Sequence, residues 1–217
     1  VEKQPQEIIY VPNASLQDTF ANICSDLDKE MWRFGTTAPT YGWDVEDPKP
    51  LFWADFVKNR WHEVLLHNII DRLEAMDPKY KNYVFKAINA QAGGRVFGQD
   101  GSIHVDHEFE FNSDGDGFMT FCFFPNKEWE SDWGGELQFF NNEGQVIASF
   151  SPQPNTCVVF DSNIPHRGLS PTRDCTKFRK YISLKLQVHK MWNTTDSVNF
   201  RDIEQLEGGP SDNQSTS

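Results

Sequence analysis

The sequence predicts a mainly β protein with α: a double-stranded β-helix, or jelly-roll, core buttressed by N-terminal helices. Apolar residues recur at helical spacing over the first third of the chain. From Tyr83 the period shortens, and runs of β-branched and aromatic residues alternate with Gly, Asn, Asp and Pro clusters. Seven or eight short strands after a helical segment fit two packed sheets with helices covering one of them.

The first helix is expected from about Leu16 to Arg33, with Phe20, Ile23, Leu27 and Met31 on one face, Ser15 or Asn13 as cap and Gly35 just beyond. A loop from Thr36 to Pro50 carries Pro39, Pro48 and Pro50. A second helix is expected from about Leu51 to Met76, with Phe52, Phe56, Trp61, Leu65, Ile69 and Leu73 as its apolar stripe, stopped by Asp77-Pro78. The strand runs are Tyr83–Ala92, Ile103–Phe111, Phe118–Phe124, Glu136–Phe140, Gln145–Phe150, Thr156–Phe160 and Phe178–Val188, with Asn141-Asn142-Glu143-Gly144 as a hairpin turn. One domain over residues 1–198 is expected, its helical support at about 15–77 and its barrel at about 83–190. Residues 199–217 have the composition of an acidic, disordered tail.

At 217 residues the chain can bury a full core, and 38 % hydrophobic with 14 % aromatic content marks a folded protein. A formal net charge of −12 argues against a nucleic-acid backbone or an anionic membrane surface as partner. A small substrate, neutral or basic, fits that charge better. No apolar run has the length of a membrane span, and Val1-Glu2-Lys3-Gln4 is no signal peptide. Cys24, Cys122, Cys157 and Cys175 share no metal-type spacing, and two sit in apolar runs, so a reducing, cytoplasmic setting is expected. The sequons at Asn13, Asn193 and Asn213 are discounted accordingly.

The chemistry concentrates in His104-Val105-Asp106 and in His166, sixty residues after Asp106. On a strand, residues two apart share a face, so His104 and Asp106 can offer an imidazole nitrogen and a carboxylate oxygen to one ion. With His166 they form a 2-His-1-carboxylate face, which leaves positions open on an octahedral metal, as non-haem Fe(II) oxygenases require. A chance His-x-Asp pair on a surface strand is the plain alternative for the dipeptide alone. His62 and His67 fall on the second helix, His189 at a strand end, and His107 on the opposite face from Asp106.

The stretch from Tyr83 to Val188 resembles the Fe(II)/2-oxoglutarate-dependent oxygenases, specifically their prolyl-4-hydroxylase-like branch. The matching stretches occur in order: Gly98-Gln99-Asp100-Gly101-Ser102-Ile103-His104-Val105-Asp106, Thr120 to Trp129, Trp133-Gly134-Gly135-Glu136-Leu137, and Phe160 to His166. The resemblance implies that His104, Asp106 and His166 hold Fe(II), that 2-oxoglutarate chelates it, and that O₂ is the oxidant, with ascorbate in support. The far carboxylate of 2-oxoglutarate, buried in a barrel, needs a cation and hydrogen-bond donors. Arg179, thirteen residues past His166, matches the family's cation, with Ser183 on the same face; Lys180 and Lys185 are expected to face away. Thr120 and Leu137 match positions lining the cosubstrate pocket. The chain departs from the family at Phe124, where the oxygen-sensing hydroxylases carry a tyrosine that donates to the far carboxylate. Ser183, or Asn89 or Gln91, is the expected replacement. Arg167 could face the mouth.

The implied reaction hydroxylates or oxidatively cyclises an unactivated C–H bond, with release of succinate and CO₂, and Asp106 argues against halogenation. A small-molecule substrate is favoured over a peptide, with peptidyl-prolyl 4-hydroxylation as the alternative. A jelly-roll protein that binds a metal or ligand without turnover is the alternative from another class. Tyr41, Trp43, Asp44, Phe52 and Trp53, with Asn112–Gly117, are candidate lid segments.

Overall fold

A computed structural model of the protein describes residues 7–35, 50–54 and 61–191. The expected loop residues Tyr41, Trp43 and Asp44, together with Phe56, Asn193, Asn213 and the 199–217 tail, lie outside the described residues.

The chain enters through β1 (Ile8–Val11) and turns into α1 (Gln17–Lys29). The expected helix is shorter at its C-terminal end. Glu30 is already extended, and the Trp32 indole donates to the Leu27 carbonyl, one of those a helix end leaves without a partner. Ser15 does not cap it: its hydroxyl and amide both donate to Asn155 Oδ1. Asn68 accepts instead from the Leu16 amide at the helix start.

Two short strands follow, β2 (Arg33–Gly35) and β3 (Leu51–Ala54), paired antiparallel. The second helix therefore does not begin at Leu51; Phe52 and Trp53 are strand residues, and the described helix is α2 (Trp61–Met76). A four-residue apolar run carries no period that separates strand from helix, and its partner strand decides. A 3₁₀ turn (Pro78–Asn82) leads into β4 (Tyr83–Arg95). The later strands are β5 (Gly117–Phe124), β6 (Leu137–Phe140), β7 (Val146–Phe150), β8 (Thr156–Asp161), β9 (His166–Gly168) and β10 (Arg179–Lys190).

These strands form a seven-stranded sheet, β1-β8-β5-β10-β4-β3-β2, and a three-stranded sheet, β7-β6-β9. Two facing antiparallel sheets are the predicted jelly roll. Alternation divides β5 and β10 between two cores. Met119, Phe121 and Phe123 join Ile182, Leu184, Leu186 and Val188 on the helix side, against Phe20, Ile23 and Leu27 of α1 and Leu65, Ile69 and Leu73 of α2. Each such side chain stabilises the fold by about 2 kcal/mol through burial. Between the sheets, Cys122, Phe124, Leu137, Phe139, Val158, Phe160 and Ile164 form the barrel interior. The hairpin at Asn141 forms as expected: its side-chain oxygen accepts from the Glu143 and Gln145 amides, and Gly144 takes φ 76°.

The run Ile103–Phe111 is not a strand. His104 makes only an isolated bridge with His166, and the chain is irregular from there to Gly117. Asn112–Gly117 is a turn closed on itself, with Asn112 Oδ1 accepting from the amides of Asp114 and Asp116.

Candidate metal centre

Backbone bonds, not a strand ladder, bring the His-x-Asp segment to the barrel. The amides and carbonyls of His104 and His166 exchange hydrogen bonds of 3.0 and 2.9 Å, and the Ser162 carbonyl accepts from the amides of both Asp106 and His107. His104, Asp106 and His166 thereby offer one ligand atom each within 4.8 Å of one another. His107 turns away and stacks on Phe118.

Both imidazoles are oriented from behind. His104 Nδ1 faces the Ser102 carbonyl at 3.0 Å and His166 Nδ1 faces the Ile164 carbonyl at 2.9 Å. A carbonyl only accepts, so Nδ1 carries the proton and the lone pair sits on Nε2. Those Nε2 atoms point at the carboxylate, 3.7 Å from Asp106 Oδ1 and 3.6 Å from Asp106 Oδ2. Burial, with His104 adding to it, pushes the His166 imidazole down to about 4, so it is neutral and free to ligate at physiological pH. Burial works to raise the Asp106 carboxyl, but Lys185, His166 and His104 outweigh it and hold it below the usual carboxylate range. Two neutral-capable imidazoles and one carboxylate, converging with lone pairs inward, fit a divalent iron with sites to spare.

Asp106 is held on both oxygens. Thr120 Oγ1 donates to Oδ2 at 2.9 Å and is itself 2.9 Å from Ser162 Oγ. Lys185 Nζ lies 2.8 Å from Oδ1. Thr120 thus orients the carboxylate, rather than only lining a cosubstrate pocket as expected from the sequence. Lys185 corrects the expectation that it faces away: it stands six residues after Arg179, so alternation puts both on one face. Counting that period would have found it. Lys180 does face away and pairs with Asp28 of α1.

The register of β4 on β10 lays out the inner wall. Arg179 stands opposite Arg95, Ser183 opposite Gln91 and Lys185 opposite Asn89. Asn89, Gln91 and Ser183 therefore share the interior face as expected. Arg179 is 1 % exposed; its Nε donates to the Gly135 carbonyl at 2.6 Å, and its guanidinium lies over the rings of Phe124 and Tyr181. Burial pulls that guanidinium down to about 10, still charged at neutral pH. Leu137 is buried in the interior core, opposite Gly168 of β9. Arg167, paired with Gln138 across β9 and β6, donates from its Nε and Nη2 to Gln138 Oε1.

The family model of the 2OG-Fe(II) oxygenase superfamily matches residues 92–184, the segment that carries the three convergent side chains and Arg179. Over those residues the barrel matches the 2OG-Fe(II) oxygenase superfamily. The protein is accordingly an oxidoreductase, with Fe(II) as metal and 2-oxoglutarate and O₂ as cosubstrates. Solved structures of this oxygenase fold resemble it at low identity. A prolyl hydroxylase from Trichoplax adhaerens, in complex with a peptide fragment of the hypoxia inducible factor oxygen degradation domain, matches at TM-score 0.55 and 16 % identity, covering 84 % of this chain and 83 % of its own. A 2OG-Fe(II) oxygenase family oxidoreductase from Burkholderia pseudomallei matches at TM-score 0.55 and 14 % identity, with 84 % of each chain covered. The α-ketoglutarate-dependent carbocyclase SnoK of nogalamycin biosynthesis matches at TM-score 0.54 and 9 % identity, covering 96 % of this chain and 90 % of its own. No curated protein sequence matches the chain. Among the described residues, no helix of this oxygenase is long and apolar enough to cross a membrane.

Proposed function

We propose that this oxygenase hydroxylates or oxidatively cyclises an unactivated C–H bond of a small polar molecule, with Fe(II) held by His104, Asp106 and His166. The observation that carries the reading is the convergence of the two Nε2 atoms and the Asp106 carboxylate beside the apolar barrel interior, where His166 packs on Phe139 and Phe160. Bound iron with 2-oxoglutarate supplies the oxidative decarboxylation that activates O₂, releasing succinate and CO₂. The chain's own part is positioning. Ser102 and Ile164 carbonyls fix the imidazole tautomers, Thr120 and Lys185 fix the carboxylate, and Arg179 takes the far carboxylate of 2-oxoglutarate. Phe124, Phe139 and Phe160 exclude water from the reacting space.

Charge on the inner wall supports a small polar substrate over a prolyl peptide. Lys185 keeps 28 % of its side chain exposed while its ammonium stands beside the metal face. A prolyl ring entering there brings no charge to pair with that ammonium, whereas a carboxylate on a small molecule does. The fold likeness to SnoK, a carbocyclase, spans nearly the whole of both chains and is compatible with this reading.

The test is succinate release from 2-oxoglutarate by the Fe(II)-loaded enzyme, with ascorbate, against small acids and alcohols and against Pro-containing peptides. The expected result is coupled turnover with a small molecule. Coupling only with prolyl peptides would overturn the substrate class and leave the reaction class standing.

A further inference from the structure

Arg95 closes β4 directly opposite Arg179 on β10, so two guanidinium groups stand side by side on the interior face. Both are buried, at 6 % and 1 % exposure. Neither forms an ion pair with a carboxylate among the described residues; Asp100 and Glu136 act on them only at longer range. Arg95 Nη1 donates to the Gln99 carbonyl at 2.7 Å, while its Nε is buried with no partner. The two groups face one place. A Cβ built on Gly168, two residues past His166, would sit 3.4 Å from Arg95 Nε and 3.6 and 3.8 Å from the terminal nitrogens of Arg179.

Two like charges buried together repel and are costly to desolvate unless an anion joins them. The described residues supply none here. The glycine at 168 keeps a space open beside the guanidinium groups, and the unsatisfied Nε of Arg95 is the atom nearest to it. Phe124, which offers no hydroxyl, lies against the Arg179 guanidinium.

We propose that Arg95 is a second anchor for the far carboxylate of 2-oxoglutarate, so that two arginines clamp it in place of one cation and a tyrosine. The inference rests on the cosubstrate reading above. Each guanidinium presents N–H groups to one carboxylate oxygen, and the anion in turn neutralises the pair. Arg95 is then a cosubstrate-binding residue selective for a dicarboxylate.

The experiment is anaerobic calorimetric binding to the Fe(II)-loaded protein of 2-oxoglutarate and of 2-oxopentanoate. The latter keeps the chelating keto acid and has a methyl group where the far carboxylate stands. Arg95→Met should weaken 2-oxoglutarate by about ten- to a hundredfold and leave 2-oxopentanoate nearly unchanged, since only charge-assisted bonds to the far carboxylate are lost. Arg95→Gln retains a donor for the Gln99 carbonyl without the charge and should narrow the preference likewise. Equal weakening of both ligands would assign Arg95 to holding its loop and overturn the proposal, as would an undiminished preference in Arg95→Gln. Arg179→Met separates the two readings. If it abolishes the preference while the Arg95 variants keep it, only the second anchor fails; if wild type itself shows no preference for the dicarboxylate, the cosubstrate reading fails.

Discussion

A main-chain carbonyl two residues before each histidine decides which ring nitrogen is free, and residue-level logic of this kind governs the charges too. Asp161, at the end of β8, is a buried acid outside the metal face. Burial raises it to about 6, although the Glu7 amide donates to it. The native chain therefore holds a proton, between about pH 4 and 6, that an unfolded chain with its carboxyl near 3.8 has released. That contribution to stability is complete below the unfolded value and is lost as pH rises through 6. Asp161→Asn keeps the acceptor and removes the charge. It should stabilise the protein by about 2 kcal/mol near pH 7 and by almost nothing near pH 4, read from urea unfolding of both proteins. A gain equal at the two pH values would mean that ionisation of Asp161 is not the cause. Ligand-type side chains at His-x-Asp spacing, set in stretches that match the family in order, made His104, Asp106 and His166 legible. Arg95 was not legible, since its burial depends on a strand partner and on Gly168, neither visible in its own neighbourhood.

At the scale of elements, the turn entering β6 shows how backbone shape serves the site. Gly134 and Gly135 take φ 66° and 78°, a conformation that costs a residue with a Cβ about 1–2 kcal/mol. The Gly135 carbonyl accepts from Arg179, and a Cβ at 135 would lie 2.9 Å from Arg179 Cδ. Gly135→Ala should therefore lower unfolding free energy by about 1–2 kcal/mol and also weaken 2-oxoglutarate binding, measured on the same preparation. A stability loss with unchanged cosubstrate affinity would show that the turn does not position Arg179. The long strands β4, β5, β8 and β10 and the hairpin at Asn141 were readable because alternation and turn chemistry agree there. β1, β2, β3 and β9 have only three or four residues each and are defined by what they pair with. The same limit explains Ile103–Phe111, whose apolar and polar residues alternate as a strand's do while its amides bond to the Ser162 carbonyl and to His166.

Across the whole molecule, a chain of net charge −12 encloses a cationic wall. Arg95, Arg179 and Lys185 face the barrel interior while acids dominate the composition, so the overall charge does not describe the inner wall. The helices α1 and α2 cover one face of the larger sheet, which leaves the space between the sheets to the site. Fold and metal face were both legible from sequence order, because a helical third followed by short strands constrains architecture strongly. The inner-wall charges needed the register of β4 on β10. The central claim is that three side chains converge on one ferrous ion. Anaerobic Fe(II) titration of the metal-free protein by calorimetry tests it most directly, comparing wild type with His166→Ala and with His67→Ala, a helix histidine remote from the face. The expected result is one iron per chain for wild type and His67→Ala, with affinity lost in His166→Ala; full-strength binding by His166→Ala would contradict the account.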